Sequence, residues 1–84
     1  MRDYHPFFSE EVTEFIVGLP KRRQLKLLRA CKQIARNPFV QADYSISDSD
    51  GRNIEHILVD DFVIAYWIDH AVRKVMVIEA DDIR

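Results

Sequence analysis

Cysteine, glycine and tryptophan are scarce in this chain of 84 residues, which has one cysteine, two glycines and one tryptophan. A single cysteine cannot form a disulfide within the chain, which favours a reducing compartment and predicts a cytoplasmic location. The longest strongly apolar run without a charge, residues 62–68, has seven residues, whereas a membrane-spanning helix needs about 20. The N-terminal segment has no apolar stretch of the signal-peptide kind. The sequence therefore predicts a cytoplasmic protein that does not enter a membrane.

A net positive charge is also lacking, since the formal net charge is −2 at pH 7. This balance argues against a generally basic nucleic-acid binder. The histidines show no ligand spacing with one another or with Cys31, so we expect neither a metal site nor a cofactor. Hydrophobic residues make up 48% of the chain and charged residues 31%, which is typical of a folded globular domain. Length and composition predict a single domain over residues 1–84.

Apolar periodicity predicts two consecutive helices in the first half of the chain. Ser9 is a candidate N-cap for the first helix, and Gly18 with Pro20 ends it. The apolar face of this helix consists of Val12, Phe15, Ile16 and Leu19. The second helix is expected to begin near Pro20 and to end before Asn37 and Pro38. Together the two helices are predicted to form an antiparallel hairpin.

The second helix carries a strongly basic side, which we call the basic face. Its six cations are Lys21, Arg22, Lys26, Arg29, Lys32 and Arg36. The opposite, apolar side consists of Leu27, Leu28, Ala30, Cys31, Ile34 and Ala35. A charged helix face is often only solvated, but six cations without an interleaved acid repel one another. The basic face is therefore either a solvated surface or a contact surface for nucleic-acid phosphates or an acidic protein segment.

From Asp43 onward the apolar period changes to two, which predicts strands. The four predicted strands cover residues 44–47, 53–59, 62–69 and 74–80. The first connection contains an Asp-Gly turn at Asp50 and Gly51. Residues 3–8 are predicted to form a short extended arm. The predicted fold class is α+β, with an N-terminal helical hairpin packed on a mostly antiparallel four-stranded sheet.

The third predicted strand has two faces of different composition. Its bulkier set, which we expect to face the helices, consists of Phe62, Ile64, Tyr66 and Ile68. Val63, Ala65 and Trp67 are then left on the open face of the sheet, the face turned away from the helices. An apolar open face with a tryptophan favours a protein-binding surface. Val63, Ala65 and Trp67 are therefore candidate contacts for a partner protein or for a second copy in a homodimer.

The order of these elements resembles that of the RelE/ParE superfamily. Three local features strengthen the resemblance: the Asn37-Pro38 helix ending, the Asp-Gly-Arg turn at residues 50–52 and the stretch VDDFVIAYWID at residues 59–69. Members of this superfamily are the toxins of bacterial type II toxin–antitoxin modules, which include plasmid-stabilisation systems. The resemblance covers almost the whole chain. It implies a toxin that is bound and neutralised by a cognate antitoxin. The RelE branch cuts messenger RNA on the ribosome without a metal, whereas the ParE branch poisons DNA gyrase.

The resemblance also implies where a ribonuclease site would lie. In RelE-like nucleases an aromatic residue, an arginine, two apolar residues and a tyrosine follow one another, and the matching stretch here is FVIAY at residues 62–66. Val63 replaces the arginine that would hold the scissile phosphate, and the lysine positions of the preceding strand hold Ile54 and His56. The sequence EADDIR replaces the basic C-terminal tail with its tyrosine. The candidate catalytic residues that remain are His56, Arg52, Arg73 and Arg84.

These positions favour a toxin-like protein that is ParE-like or catalytically degenerate. Two alternatives stay open: a non-toxic interaction or dimerisation module on the same fold, and a ribosome-dependent mRNA endoribonuclease with His56 as its base. Cleavage of a phosphodiester without a metal needs preplaced positive charge, and the predicted sheet has little of it. Because only a few candidate catalytic residues remain, enzymatic activity stays an open question. The expected partner is a cognate antitoxin, with the ribosome and mRNA or DNA gyrase as cellular targets.

Overall fold

Two helices cover one face of a five-stranded sheet, and the predicted α+β fold class is confirmed. The computed structural model describes residues 3–83. The helices are α1 (Glu10–Val17) and α2 (Lys21–Arg36). The strands are β1 (His5–Phe8), β2 (Tyr44–Ser47), β3 (Asn53–Val59), β4 (Phe62–Asp69) and β5 (Lys74–Asp82). Within residues 3–83, neither helix has the length and apolarity needed to cross a membrane.

The sheet has the order β1-β5-β4-β3-β2, and its neighbouring strands are antiparallel except for the parallel pair β1 and β5. Its fifth strand is β1, in the segment for which the sequence predicts only an extended arm. The backbone N–H of His5 donates to the carbonyl of Arg73 at 3.1 Å, and that of Ser9 donates to Val77 at 3.0 Å. β1 has four residues and contains Pro6, which an edge strand tolerates. Its sequence therefore carries little strand signal.

Helix α1 begins where the sequence predicts it. The side-chain oxygen of Ser9 accepts a hydrogen bond from the backbone N–H of Val12 at 3.1 Å, as an N-cap does. Glu10 and Glu11 lie in the first turn, where negative charge offsets the positive end of the helix dipole. Gly18 follows the last helical residue. Local side-chain chemistry thus sets the ends of α1.

The hydrophobic core lies between the two helices and the central strands of the sheet. The residues that meet there include Leu27, Cys31 and Ile34 of α2, Phe62, Ile64 and Tyr66 of β4, and Val75 and Val77 of β5. All eight are at most 2% exposed. The alternation along β4 therefore places its bulkier residues against the helices, as expected from the sequence.

A β-bulge changes which residues of β5 face the core. Consecutive residues of β4 pair with Val77 and with Glu79, so Ile78 is an extra residue in β5. Simple alternation from the buried Val77 would bury Glu79, but the bulge leaves Glu79 exposed and buries Ala80 instead. The bulge thus keeps a carboxylate out of the core. β5 also continues to Asp82, two residues past the predicted end.

Arg23 of α2 turns inward, unlike the cations of the basic face, and is 8% exposed. Its Nη1 lies 3.3 Å from Oδ2 of Asp61, and its Nη2 lies 3.0 Å from Oδ2 of Asp82. The guanidinium carbon lies 4.4 Å from the centre of the Phe62 ring. These contacts join α2 to the start of β4 and the end of β5.

Candidate functional site

The open face of the sheet carries a line of apolar side chains that crosses all five strands. Strand pairing places Phe7 beside Met76 and Met76 beside Trp67. Glu55 of β3 pairs with Tyr66 of β4, so the adjacent residues Ile54 and Trp67 lie opposite each other. Ile54 in turn pairs with Ile46 of β2. Paired residues project from the same face of a sheet. We call these five residues, one from each strand, the apolar row.

The ends of the apolar row are exposed, and its middle is partly covered. Phe7 is 51% exposed and Ile46 is 53% exposed, whereas Ile54 is only 7% exposed. The guanidinium of Arg52 lies 4.3 Å from the centre of the Trp67 ring. The ammonium of Lys74 lies 4.5 Å from the centre of the Phe7 ring. The row is therefore an apolar surface with cations stacked on two of its rings, an arrangement favourable for contact with a protein.

The three candidate partner contacts predicted on β4 lie on the open face, but they are not equally accessible. Ala65 is 3% exposed, so the expectation that it offers a contact surface is wrong. Its small side chain lies between its cross-strand neighbours His56 and Glu79, which are larger and cover it. Val63 and Trp67 are half-buried. The accessible apolar surface therefore runs across the strands instead of along β4.

Sequence reasoning missed Phe7 and Ile46 as parts of this surface. Both belong to four-residue edge strands, whose own sequences carry little pattern. Their neighbours on the open face come from other strands, so only the pairing register brings them into line with Trp67. The one available signal was the apolar character of alternate residues in the segment YSIS.

His56 also lies on the open face, paired with Ala65 and half-buried. Its ring stacks on Tyr44, with the ring centres 4.5 Å apart and the planes at 11°. Its Nδ1 lies 3.1 Å from the carbonyl oxygen of Ile54. Because a carbonyl can only accept, Nδ1 carries the proton in this contact and Nε2 carries the lone pair. Nε2 is therefore the atom of His56 that could act as a base.

The other candidate catalytic residues do not assemble into one site around His56. Arg52 reaches the same region through its position over Trp67, but its guanidinium lies 3.9 Å from Asp48 and 3.5 Å from Asp50. Arg73 lies in the turn before β5 with a φ of 56°. Ala65, the strand partner of His56, lies four residues before the end of β4 at this turn, so the turn is about 13 Å from His56 along the strand. Arg84 lies outside the described residues.

The basic face of α2 is exposed at all six of its cations, and it points away from the sheet. Among the described residues, none of the six lies within ion-pair distance of a carboxylate. Its positive charge is therefore available to a partner. Residues 3–83 contain no group of three or more histidine, cysteine or acidic side chains arranged to hold a metal ion.

No family model and no curated protein matches this chain by sequence. Two solved toxin–antitoxin complexes contain a chain of similar structure. One is the archaeal RelE–RelB complex of Pyrococcus horikoshii OT3, with a TM-score of 0.75, 10% identity, and coverage of 98% of this chain and 97% of that chain. The other is the RelBE2 complex of Mycobacterium tuberculosis, with a TM-score of 0.79, 15% identity, and coverage of 96% and 99%. This chain has a RelE-like fold.

The structural matches cover 98% and 96% of this chain, so the RelE-like fold extends over nearly all of it. The resemblance inferred from the sequence is thus confirmed for the fold. Identities of 10% and 15% carry no information about the chemistry, because one fold supports many activities. The function has to be argued from the residues on the RelE-like scaffold.

Proposed function

We propose that this protein is the toxin-like component of a type II toxin–antitoxin module, ParE-like or catalytically degenerate, and that an antitoxin binds its open face. The two similar structures are complexes of a toxin with its antitoxin, which supports an antitoxin as the partner. The proposal assigns the open face to protein binding and not to RNA cleavage.

The apolar row is the observation that carries this proposal. Metal-free cleavage of a phosphodiester depends on cations placed around the phosphate. Here the centre of the open face holds Trp67, Ile54 and Met76. The exposed Glu79 and Asp81 lie farther along β5, on the same side of the sheet as Ala65 and Val63. Carboxylates at this position repel a phosphate backbone, whereas apolar side chains with a polar border suit a protein interface.

One observation favours the ribonuclease alternative. His56 is held by the stacked Tyr44 and by its own backbone contact, and Arg52 lies over the neighbouring Trp67. A base and a cation on one face are the minimum that acid–base chemistry on RNA requires. The ion pairs of Arg52 with Asp48 and Asp50 lower the charge that it could offer to a phosphate. This alternative therefore ranks second.

Induced expression of the chain alone in a bacterial host tests the proposal. We expect growth arrest by the wild type and by His56→Ala, and no His56-dependent cutting of messenger RNA. Incorporation of a labelled amino acid shows whether translation is the blocked process, and the supercoiling of a reporter plasmid shows whether gyrase is. Cleavage of mRNA that disappears in His56→Ala would establish the ribonuclease. Normal growth with soluble, folded protein would favour the non-toxic interaction module.

A further inference from the structure

A cleft of about 670 Å³ lies between the segment of residues 38–43 and the ends of strands β2 to β4. Side chains that line it include Phe39, Asp43, Glu55, Tyr66, Ile68 and His70. Glu55 and Tyr66 are cross-strand partners, and Tyr66 belongs to the helix-facing side of β4. Trp67, which belongs to the open face, also lines the cleft. We call it the acidic cleft.

Tyr66 brings an unpartnered hydroxyl group to the acidic cleft. The residue is 1% exposed, and its ring is part of the core. In the part of the chain that the structure describes, its hydroxyl makes no hydrogen bond. The hydroxyl is not among the fully buried unpartnered polar atoms of the described residues, so it reaches the cleft and can hydrogen-bond to a group bound there.

The carboxylates of Glu55 and Asp43 give the cleft its negative charge. Burial first, and then these two carboxylates, raise the pKa of Tyr66 above its usual value of 10.0, so its hydroxyl stays protonated at neutral pH. Neither carboxylate lies within ion-pair distance of a cation among residues 3–83. Asp43 accepts a hydrogen bond from the backbone of Leu58 at 2.6 Å, and Glu55 accepts one from Ser45 at 3.4 Å. Each keeps acceptor capacity for a ligand.

The remaining polar and aromatic groups of the cleft complete its chemistry. Arg52 also lines it, but Asp48 and Asp50 offset its charge. The ring of His70 stacks on Phe39 at 5.2 Å, and its Nδ1 lies 2.8 Å from the hydroxyl of Tyr4. Exposed aromatic rings beside carboxylates attract an organic cation through its charge and through the ring faces. An anion would be repelled by the same groups.

We infer that the acidic cleft binds an organic cation with a guanidinium or alkylammonium head. The head contacts the carboxylates of Glu55 and Asp43 and the hydroxyl of Tyr66. A free polyamine-type cation and a lysine or arginine side chain of a partner share this chemistry. The inference does not depend on the proposed toxicity, although Trp67 of the apolar row also lines the cleft.

Calorimetric titration of the purified chain with two matched probes tests the inference. N-acetyl-arginine amide carries the guanidinium, and N-acetyl-citrulline amide has the same shape without the charge. We expect the arginine probe to bind about tenfold or more tightly than the citrulline probe, since hydrogen bonds to charged groups are the stronger ones. Equal binding of both probes, or no saturation by the arginine probe in the millimolar range, would overturn the inference.

Variants locate the binding to the cleft. Glu55→Gln should weaken the arginine probe about tenfold, and Tyr66→Phe should weaken it several-fold while the core ring is kept. Glu79→Gln removes one exposed charge from the other side of the sheet and should leave the affinity unchanged. Similar weakening by Glu55→Gln and Glu79→Gln would show non-specific attraction and refute the site. Circular dichroism of each variant verifies the fold.

A second pair of probes identifies the source of the cation. Agmatine is a free cation with a guanidinium, and the capped tripeptide Ala-Arg-Ala presents the same group on a peptide. Tighter binding of the tripeptide assigns the cleft to a side chain of a partner protein. Tighter binding of agmatine assigns it to a small molecule.

Discussion

Replacing Arg23 by alanine gives the sharpest test of how the fold is held together. The substitution removes the ion pairs with Asp61 and Asp82 and the contact with the ring of Phe62. The arginine side chain is 10% exposed, whereas those of Asp61 and Asp82 are 46% and 25% exposed. The two carboxylates can therefore regain water when the arginine is lost, which limits the cost.

The magnitude follows from this partial exposure. Removing one partner of a fully buried ion pair costs about 3–5 kcal/mol. With two partly hydrated carboxylates left behind, we expect a loss of about 2–3 kcal/mol in the free energy of unfolding, including the lost contact with Phe62. For a domain of 84 residues, this corresponds to a fall in Tm of roughly 10–20 °C.

Thermal and urea unfolding of matched variants measure this effect. Arg22→Ala is the control, because Arg22 is adjacent but exposed on the basic face, and it should change the free energy of unfolding by less than about 0.5 kcal/mol. Arg23→Met keeps an apolar chain over Phe62 and should lose less than Arg23→Ala. If Arg23→Ala and Arg22→Ala have the same Tm, the ion pairs do not hold α2 to the sheet and the reasoning is refuted.

Two further predictions concern buried groups that ionise. Burial raises the pKa of Cys31 to about 12, so a disulfide reagent at pH 8 should modify it only as fast as the protein unfolds; reaction at the rate of a free cysteine would contradict this. The pKa of Tyr66 is raised by burial and by Glu55 and Asp43, so the folded state keeps a proton that the unfolded state releases near the ordinary tyrosine value of 10.0. The stability that Tyr66 contributes is therefore complete below this pH and is lost as the pH rises above it. Near pH 8, Tyr66→Phe should be about as stable as the wild type, because the hydroxyl has no partner. When the pH is raised to about 10.5, the free energy of unfolding measured with urea should fall less in Tyr66→Phe than in the wild type. An equal fall in both proteins would contradict the prediction.

The helices and the core face of β4 could be predicted because local chemistry determines them. The ends of α1 are set by the neighbouring residues Ser9 and Gly18. The large apolar residues Phe62, Ile64 and Tyr66 stand at alternate positions of the sequence, which predicts that they share one face of β4. The pairing of His5 with Lys74 joins distant parts of the sequence, so β1 could not be recognised from its own four residues.

The candidate site was harder to predict than the fold, because it depends on register. Alternation placed Trp67 on the open face, but only strand pairing adds Phe7 and Ile46 to it. Alternation cannot show that the small side chain of Ala65 is covered by neighbouring strands. The extra residue Ile78 likewise has no sequence signal, and it reverses the faces of the residues that follow.

Growth under combined expression tests the central claim most directly. A short reading frame of antitoxin type beside this gene would be expressed together with the wild type or with Trp67→Lys, which places a charge in the middle of the apolar row. We expect growth arrest when the wild type or Trp67→Lys is expressed without the neighbouring protein. Expression of the neighbouring protein should restore growth of cells with the wild type but not of cells with Trp67→Lys. Equal rescue of both would contradict the assignment of the open face to the antitoxin.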